Sequence, residues 1–284
     1  MTLKKIENGK FELSIEIDDF TEPWRQDKSP LLLQHGFGRN ASIWTTWVAE
    51  LSGTFPLIRP NLRAVLDPPN DFDGTRDLTM EKYLDDLCVT LDALNIDSVH
   101  YCGESFGGCI GLAFAAKYPE RIKTLSLIGT PIFYGPKWQQ TYAMGHGTWS
   151  NALSVLGLDA WLAATNESTR FPPGVSEEFI DWYNKMISAT DPRVLIAMAR
   201  LIEQSNLLPL LPQIKAPVML LSPVQGKIMN NEQVDAYRKG LADFTLIRFN
   251  TPFHKIQLLE AKTCAEHIAY FCTQFDQRAM GPRF

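Results

Sequence analysis

Long apolar runs are absent from this chain. Stretches such as "APVMLL" and "SPLLLQ" fall far short of the roughly 20 residues a membrane helix needs. A run of basic residues is absent too, and the net charge of −5 argues against a nucleic-acid partner. The opening "MTLKKIENGKFELSIEI" has two lysines but no apolar core of the kind a secretory signal requires. It reads as a hairpin turning at Asn8-Gly9. Cysteine is scarce, five in 284 residues, and the number is odd. Cys88, Cys102, Cys109, Cys264 and Cys272 sit mostly inside apolar periodic segments, which excludes a disulfide framework and suits a reducing cytoplasm. With no Cys-x-x-Cys pair and no close His/Cys cluster, neither a metal nor a cofactor is expected. What remains is an ordinary globular composition, 45% hydrophobic, enough for one large core.

Strand and helix signals alternate, which predicts a mostly parallel α/β sheet flanked by helices. "LLLQ", "FPLIRP", "SVHYC", "TLSLIG", "PVMLL" and "FTLIRF" read as strands. Between them, Ile43, Trp47 and Leu51 recur at helical spacing, as do Leu84, Leu87, Cys88 and Leu91 behind a capping Thr79. From about residue 131 to 212 the alternation lapses and helical patterns such as "SEEFIDWYNKMI" and "DPRVLIAMARLIEQ" take over. The expected organisation is therefore a core of residues 1–130 and 213–284 with a helical block, 131–212, inserted after the sixth strand.

Chemistry concentrates at "HYCGESFGG". Ser105 stands where a strand turns sharply into a helix, flanked by Gly103 and Gly107, the G-x-S-x-G arrangement that lifts a hydroxyl clear of the backbone. Glycines are needed because side chains two residues either way would collide with neighbouring elements. The helix start also offers unpaired N–H groups where an oxyanion would form. One such donor is the backbone N–H of Phe106. The second is expected from the loop "HGFGRN", at Phe37. His35 in the same loop reads as a structural histidine.

These segments resemble the α/β-hydrolase superfamily, and within it the capped lactonase, esterase and carbon–carbon hydrolase group that includes 3-oxoadipate enol-lactonases and meta-cleavage-product hydrolases. The likeness runs through "LLLQHGFGRN", "RPNLRA", "GESFGG", "YPERIKTLSLI", "APVMLL" and "FHKIQLLE". It implies the α/β-hydrolase fold, with residues 131–212 as a helical cap over the site. Asn61 and Ala64 depart from the Asp and Gly common in the Asp-x-Arg-Gly loop, and Phe253 from the Gly that often precedes the histidine. Of five histidines, His254 follows the last strand in a loop before the terminal helix and fits the order nucleophile, acid, histidine. It is the expected general base. His100 and His267 read as packed residues, and His146, inside the insertion, can at most touch substrate.

The acid is missing. In "LLSPVQGKIMNNEQ" the position expected for aspartate is Gly226, and the alternative site in "LIGTPIF" carries Thr130 and Pro131. Replacing a triad acid by an amide lowers kcat by about 10⁴, on the order of 5 kcal/mol. Gln225, Asn230, a backbone carbonyl or a water can orient His254 without adding a full charge; Glu232 reads as a solvent-facing acid at a helix start. Three readings stay open: a Ser105–His254 hydrolase for an ester, lactone or other activated carbonyl substrate; non-hydrolytic carbon–carbon cleavage, lyase or isomerase chemistry in the same pocket; or a non-catalytic ligand binder. Trp138, Trp149, Trp161 and Trp182 in the insertion favour a small, partly apolar or aromatic substrate. Arg39, just past the oxyanion loop, reads either as a contact for a substrate carboxylate or as an ordinary surface or helix-start arginine. No nucleic-acid or membrane partner is expected, and a homodimer is compatible with everything above.

Overall fold

A computed structural model describes residues 1–25, 28–224 and 226–280. Its centre is one sheet of eight strands: β1 (Thr2–Asn8), β2 (Phe11–Asp18), β3 (Leu31–Gln34), β4 (Leu57–Pro60), β5 (Val99–Glu104), β6 (Ile122–Ile128), β7 (Val218–Pro223) and β8 (Phe244–Phe249). Their spatial order is β1-β2-β4-β3-β5-β6-β7-β8. β1 and β2 form an antiparallel hairpin and β2 pairs antiparallel with β4, while β3 to β8 run parallel. The hairpin turns at Gly9 and Lys10 rather than at Asn8-Gly9, because Asn8 already pairs with Phe11; Gly9 takes the positive φ of 63° that such a tight turn demands.

Burial explains the run-like strand sequences. β3, β4, β5 and β7 are buried along their full length, as expected of parallel strands covered on both faces. On one face Trp44, Trp47, Ile43 and Leu51 pack with Leu31, Leu33 and the terminal helix residues Cys264 and Ile268. On the other, Phe106, Ile110 and Phe114 of the helix Phe106–Lys117 pack with Leu84, Leu87 and Leu91. Cys102, Cys109, Cys264 and Cys272 are buried free thiols and Cys88 is half-buried.

Between β6 and β7 lie the helices Pro136–Ala143, Trp149–Leu156, Leu158–Thr165, Glu177–Ser188 and Pro192–Gln204. The two ends of this inserted segment are stitched together: Leu207 N–H donates to the carbonyl of Ile132 (2.8 Å), and the Gln233 side chain holds both Ile132 N–H (2.8 Å) and the carbonyl of Phe133 (2.7 Å). Among the described residues no helix is long and apolar enough to cross a membrane. The parallel strands all point the same way, so the segments leaving β3, β5, β6, β7 and β8 converge at one edge of the sheet, where ligands bind in open α/β folds.

Candidate active site

Ser105 follows β5 with φ 52° and ψ −117°, a conformation costly for any side chain. The surroundings hold it there. Ser105 N–H donates to Ile128 O on β6 (2.9 Å), and its own carbonyl accepts from Gly108 and Cys109 as the helix begins. The flanking glycines have the steric role expected of them. A Cβ on Gly103 would lie 2.6 Å from the Gly107 backbone, and one on Gly107 would lie 2.4 Å from Gln34 O, closer than atoms can approach.

His254 lies beyond β8 and is 5% exposed. Its loop is fastened to the insertion, His254 N–H donating to Thr169 O (2.9 Å) and Lys255 N–H to Arg170 O (3.4 Å). Ser105, His254, Phe37 and Arg39 line one small cavity together with Trp138 and Trp149. Its volume is about 20 Å³, room for a single water, and Ser105 keeps part of its surface exposed, so a larger substrate needs the aromatic side chains beside it to give way. Those side chains belong to a continuous stack: Trp149 lies 4.4 Å from Phe37, 5.0 Å from Tyr142 and 5.6 Å from Trp161, centroid to centroid.

The structure also brings in a carboxylate that sequence reading overlooked. Glu104, the residue before Ser105, places Oε1 3.7 Å from His254 Nε2. That is too long for a hydrogen bond. The same oxygen accepts from Lys255 Nζ at 2.5 Å. Meanwhile His254 Nδ1 is buried with no hydrogen-bond partner among the described residues. The sequence reading expected no ionised partner behind the ring; the acid that is close lies at Nε2 and is tied to a lysine. The signal was present in the variable position of "GESFG", whose side chain sequence reasoning left unexamined.

Cations dominate what surrounds the imidazole. Arg39 (1% exposed) and Arg170 (3% exposed) line the cavity with Lys255. Arg39 Nη2 donates to Tyr183 OH, and its guanidinium stacks 3.9 Å from the Tyr183 ring centroid. Burial, then the nearby Lys255, Arg170 and Arg39, hold the His254 pKa well below its ordinary range. Burial raises the Tyr183 pKa, yet Arg39, Lys255 and Arg170 bring it below the usual phenol value. His254 is thus a neutral acceptor, but forming its imidazolium is opposed by three positive neighbours.

The other histidines are occupied elsewhere. His35 accepts from Leu62 N–H at Nε2 (3.0 Å), which assigns its proton to Nδ1, 2.9 Å from Gly36 O; burial lowers its pKa to about 4. His100 lies between Thr124 (2.9 Å) and Asp276 (3.2 Å). His267 packs edge-on against Phe249. His146 sits half-buried in the turn after Pro136–Ala143 and does not reach the cavity lining. Asn230 caps the helix Asn231–Gly240 by accepting from Gln233 N–H (3.0 Å), and Glu232 faces solvent. Gln225 lies outside the described residues. A Cβ on Gly226 would fall 3.5 Å from Pro252 O, beside the His254 loop. Trp182 is 38% exposed while the other three insertion tryptophans are buried.

A model of the alpha/beta hydrolase fold matches residues 29–261. The chain belongs to the α/β-hydrolase family. This α/β hydrolase is similar to the 2-hydroxymuconate semialdehyde hydrolase of Pseudomonas sp. (strain CF600), 34% identical over 36% of this chain and 36% of that protein. It therefore matches about a third of that relative's length. It is 25% identical to strigolactone esterase D14 of Arabidopsis thaliana over 80% of this chain and 86% of that one. Among solved structures, the enol-lactonase of Burkholderia xenovorans LB400 superposes with a TM-score of 0.76 at 22% identity, covering 95% of this chain and 100% of the other. At that identity the likeness speaks to fold.

Proposed function

We propose that this α/β hydrolase cleaves a small to medium carboxylic ester, lactone or comparably activated carbonyl compound through Ser105 and His254, with the inserted helices as a cap. The observation that carries the reading is the strained Ser105 sharing one small cavity with a buried, neutral His254. Ser105 Oγ adds to the carbonyl carbon while its proton passes to His254 Nε2, and the carbonyl π pair moves onto oxygen. The backbone N–H groups of Phe37 and Phe106 receive that oxyanion. Collapse breaks the bond to the leaving oxygen, which takes the proton from the imidazolium. Water then repeats the sequence on the acyl-serine, releasing acid and free Ser105.

The aromatic lining of Phe37, Trp138 and Trp149 suits a partly apolar substrate. A fluorophosphonate probe tests the reading directly, since it labels only an activated serine. Labelling at Ser105, abolished in Ser105→Ala, is the expected result. An unlabelled Ser105 in folded protein overturns covalent catalysis.

A further inference from the structure

The charges around the site do not balance. Arg39, Arg170 and Lys255 bring three buried positive charges to one small cavity, and Glu104 is the carboxylate the described residues place against them. Glu104 is itself engaged by Lys255. Arg170 donates to Thr165 Oγ1 and to Asn166 Oδ1, neither of which carries charge. Arg39 is the least satisfied: Nε and Nη1 are buried without a hydrogen-bond partner among the described residues, and its one polar contact is the Tyr183 hydroxyl. Guanidinium groups hidden from water and left unpaired are strongly disfavoured, and the free N–H donors on Nε and Nη1 are suited to a carboxylate.

We propose that the substrate of this hydrolase carries a carboxylate that docks on Arg39, with Arg170 and Lys255 beside it, and that this anion supplies the negative charge which the chain does not place behind His254. The inference rests on the hydrolase reading. In that arrangement the substrate completes its own catalytic site. When the carboxylate is bound, the field of the cations on the imidazole is offset and the ring accepts the Ser105 proton more readily. With a neutral ester the same cations oppose that transfer. The groups facing the ring from every packed element are Glu104 and Ser105 on the β5 side, Arg39 after β3, Tyr183 and Arg170 in the insertion, and Lys255 on its own loop. Within this set the bound carboxylate is the new term.

Two esters with one leaving group test the proposal: p-nitrophenyl acetate, and the mono-p-nitrophenyl ester of glutaric acid. The expected result is a kcat/KM preference of about 100-fold for the glutarate ester, the range spanned by a buried charge pair. It should shrink at least tenfold in Arg39→Gln and in Arg170→Gln. A purely structural role for these arginines would not move a second readout. The acid limb of kcat should lie at higher pH with the glutarate ester than with the acetate, because the limb reports the ring in the loaded enzyme. Equal rates for the two esters, with Ser105 still labelled by fluorophosphonate, would overturn the anion site and leave the hydrolase reading standing. If neither ester is cleaved and Ser105 is unlabelled, the hydrolase reading fails, and calorimetry with glutarate decides the site alone. Binding that weakens tenfold in Arg39→Gln supports it, and no binding overturns it.

Discussion

Glu104 and His254 stand 3.7 Å apart, carboxylate oxygen to Nε2, with Lys255 Nζ held by the same oxygen. The acid therefore lies near Nε2, not against buried Nδ1. It balances a lysine more than it orients an imidazole. In the usual division of labour the acid instead fixes the ring tautomer and steadies the imidazolium from behind.

Removing that carboxylate leaves three cations together. Glu104→Gln should destabilise the fold by about 3–5 kcal/mol, the cost of breaking one member of a buried ion pair, and should depress turnover further. Urea unfolding at pH 7 measures the first effect. An unchanged midpoint and slope would mean that Lys255 finds another partner.

Adding a carboxylate behind the ring should do the opposite for catalysis. In Gly226→Asp the new Cβ would sit 3.0 Å from Pro223 Cγ and 3.2 Å from Met229 O, so the loop must give by a few tenths of an ångström. We expect a folded variant, slightly less stable, whose kcat/KM for p-nitrophenyl acetate rises about tenfold or more, a fraction of the roughly 10⁴ attributed to a triad acid. A folded variant with no gain would show that position 226 does not address Nδ1.

pH should act through two buried histidines with lowered pKa. His35 falls from 6.5 to about 4 and His254 falls well below 6.5, burial being the first cause in both. The unfolded chain then binds more protons than the native one below pH 6.5. The stability these two histidines contribute is fully present above pH 6.5 and is lost as pH falls toward 4, His35 alone accounting for about 3 kcal/mol. Urea midpoints at pH 7, 5.5 and 4.5 should fall in that order. For the same reason the acid limb of kcat/KM, which reports the free enzyme, should lie below pH 6.5.

One departure from the family pattern carries a backbone cost. Ala64 stands at φ 64°, where a Cβ costs on the order of 1–2 kcal/mol. Ala64→Gly should relieve that strain, less the added freedom of glycine in the unfolded chain, for a net gain of about 0.5–1 kcal/mol. Thermal unfolding reads it as a Tm rise of a few degrees at most. A lower Tm would show that the methyl group packs more usefully than its backbone suffers.

The sequence by itself determined the strand and helix order, the helical stretch between β6 and β7, and the placing of Ser105 and His254 on loops that line one cavity. Those features are local: apolar periodicity, a turn whose glycines admit no side chain, and a histidine just past the final strand. It also set His100 aside because it lies within a strand, and His35 because His254 better fits the base. Only the tertiary structure decided what surrounds the imidazole. Glu104, Arg170, Tyr183 and Lys255 come from four segments with no shared spacing, and His146 stays outside although it is as polar as they are. The physical reason is range. Backbone preference and periodicity act over a few residues, whereas the field at a buried ring is set by whichever charges the folded chain seals in beside it.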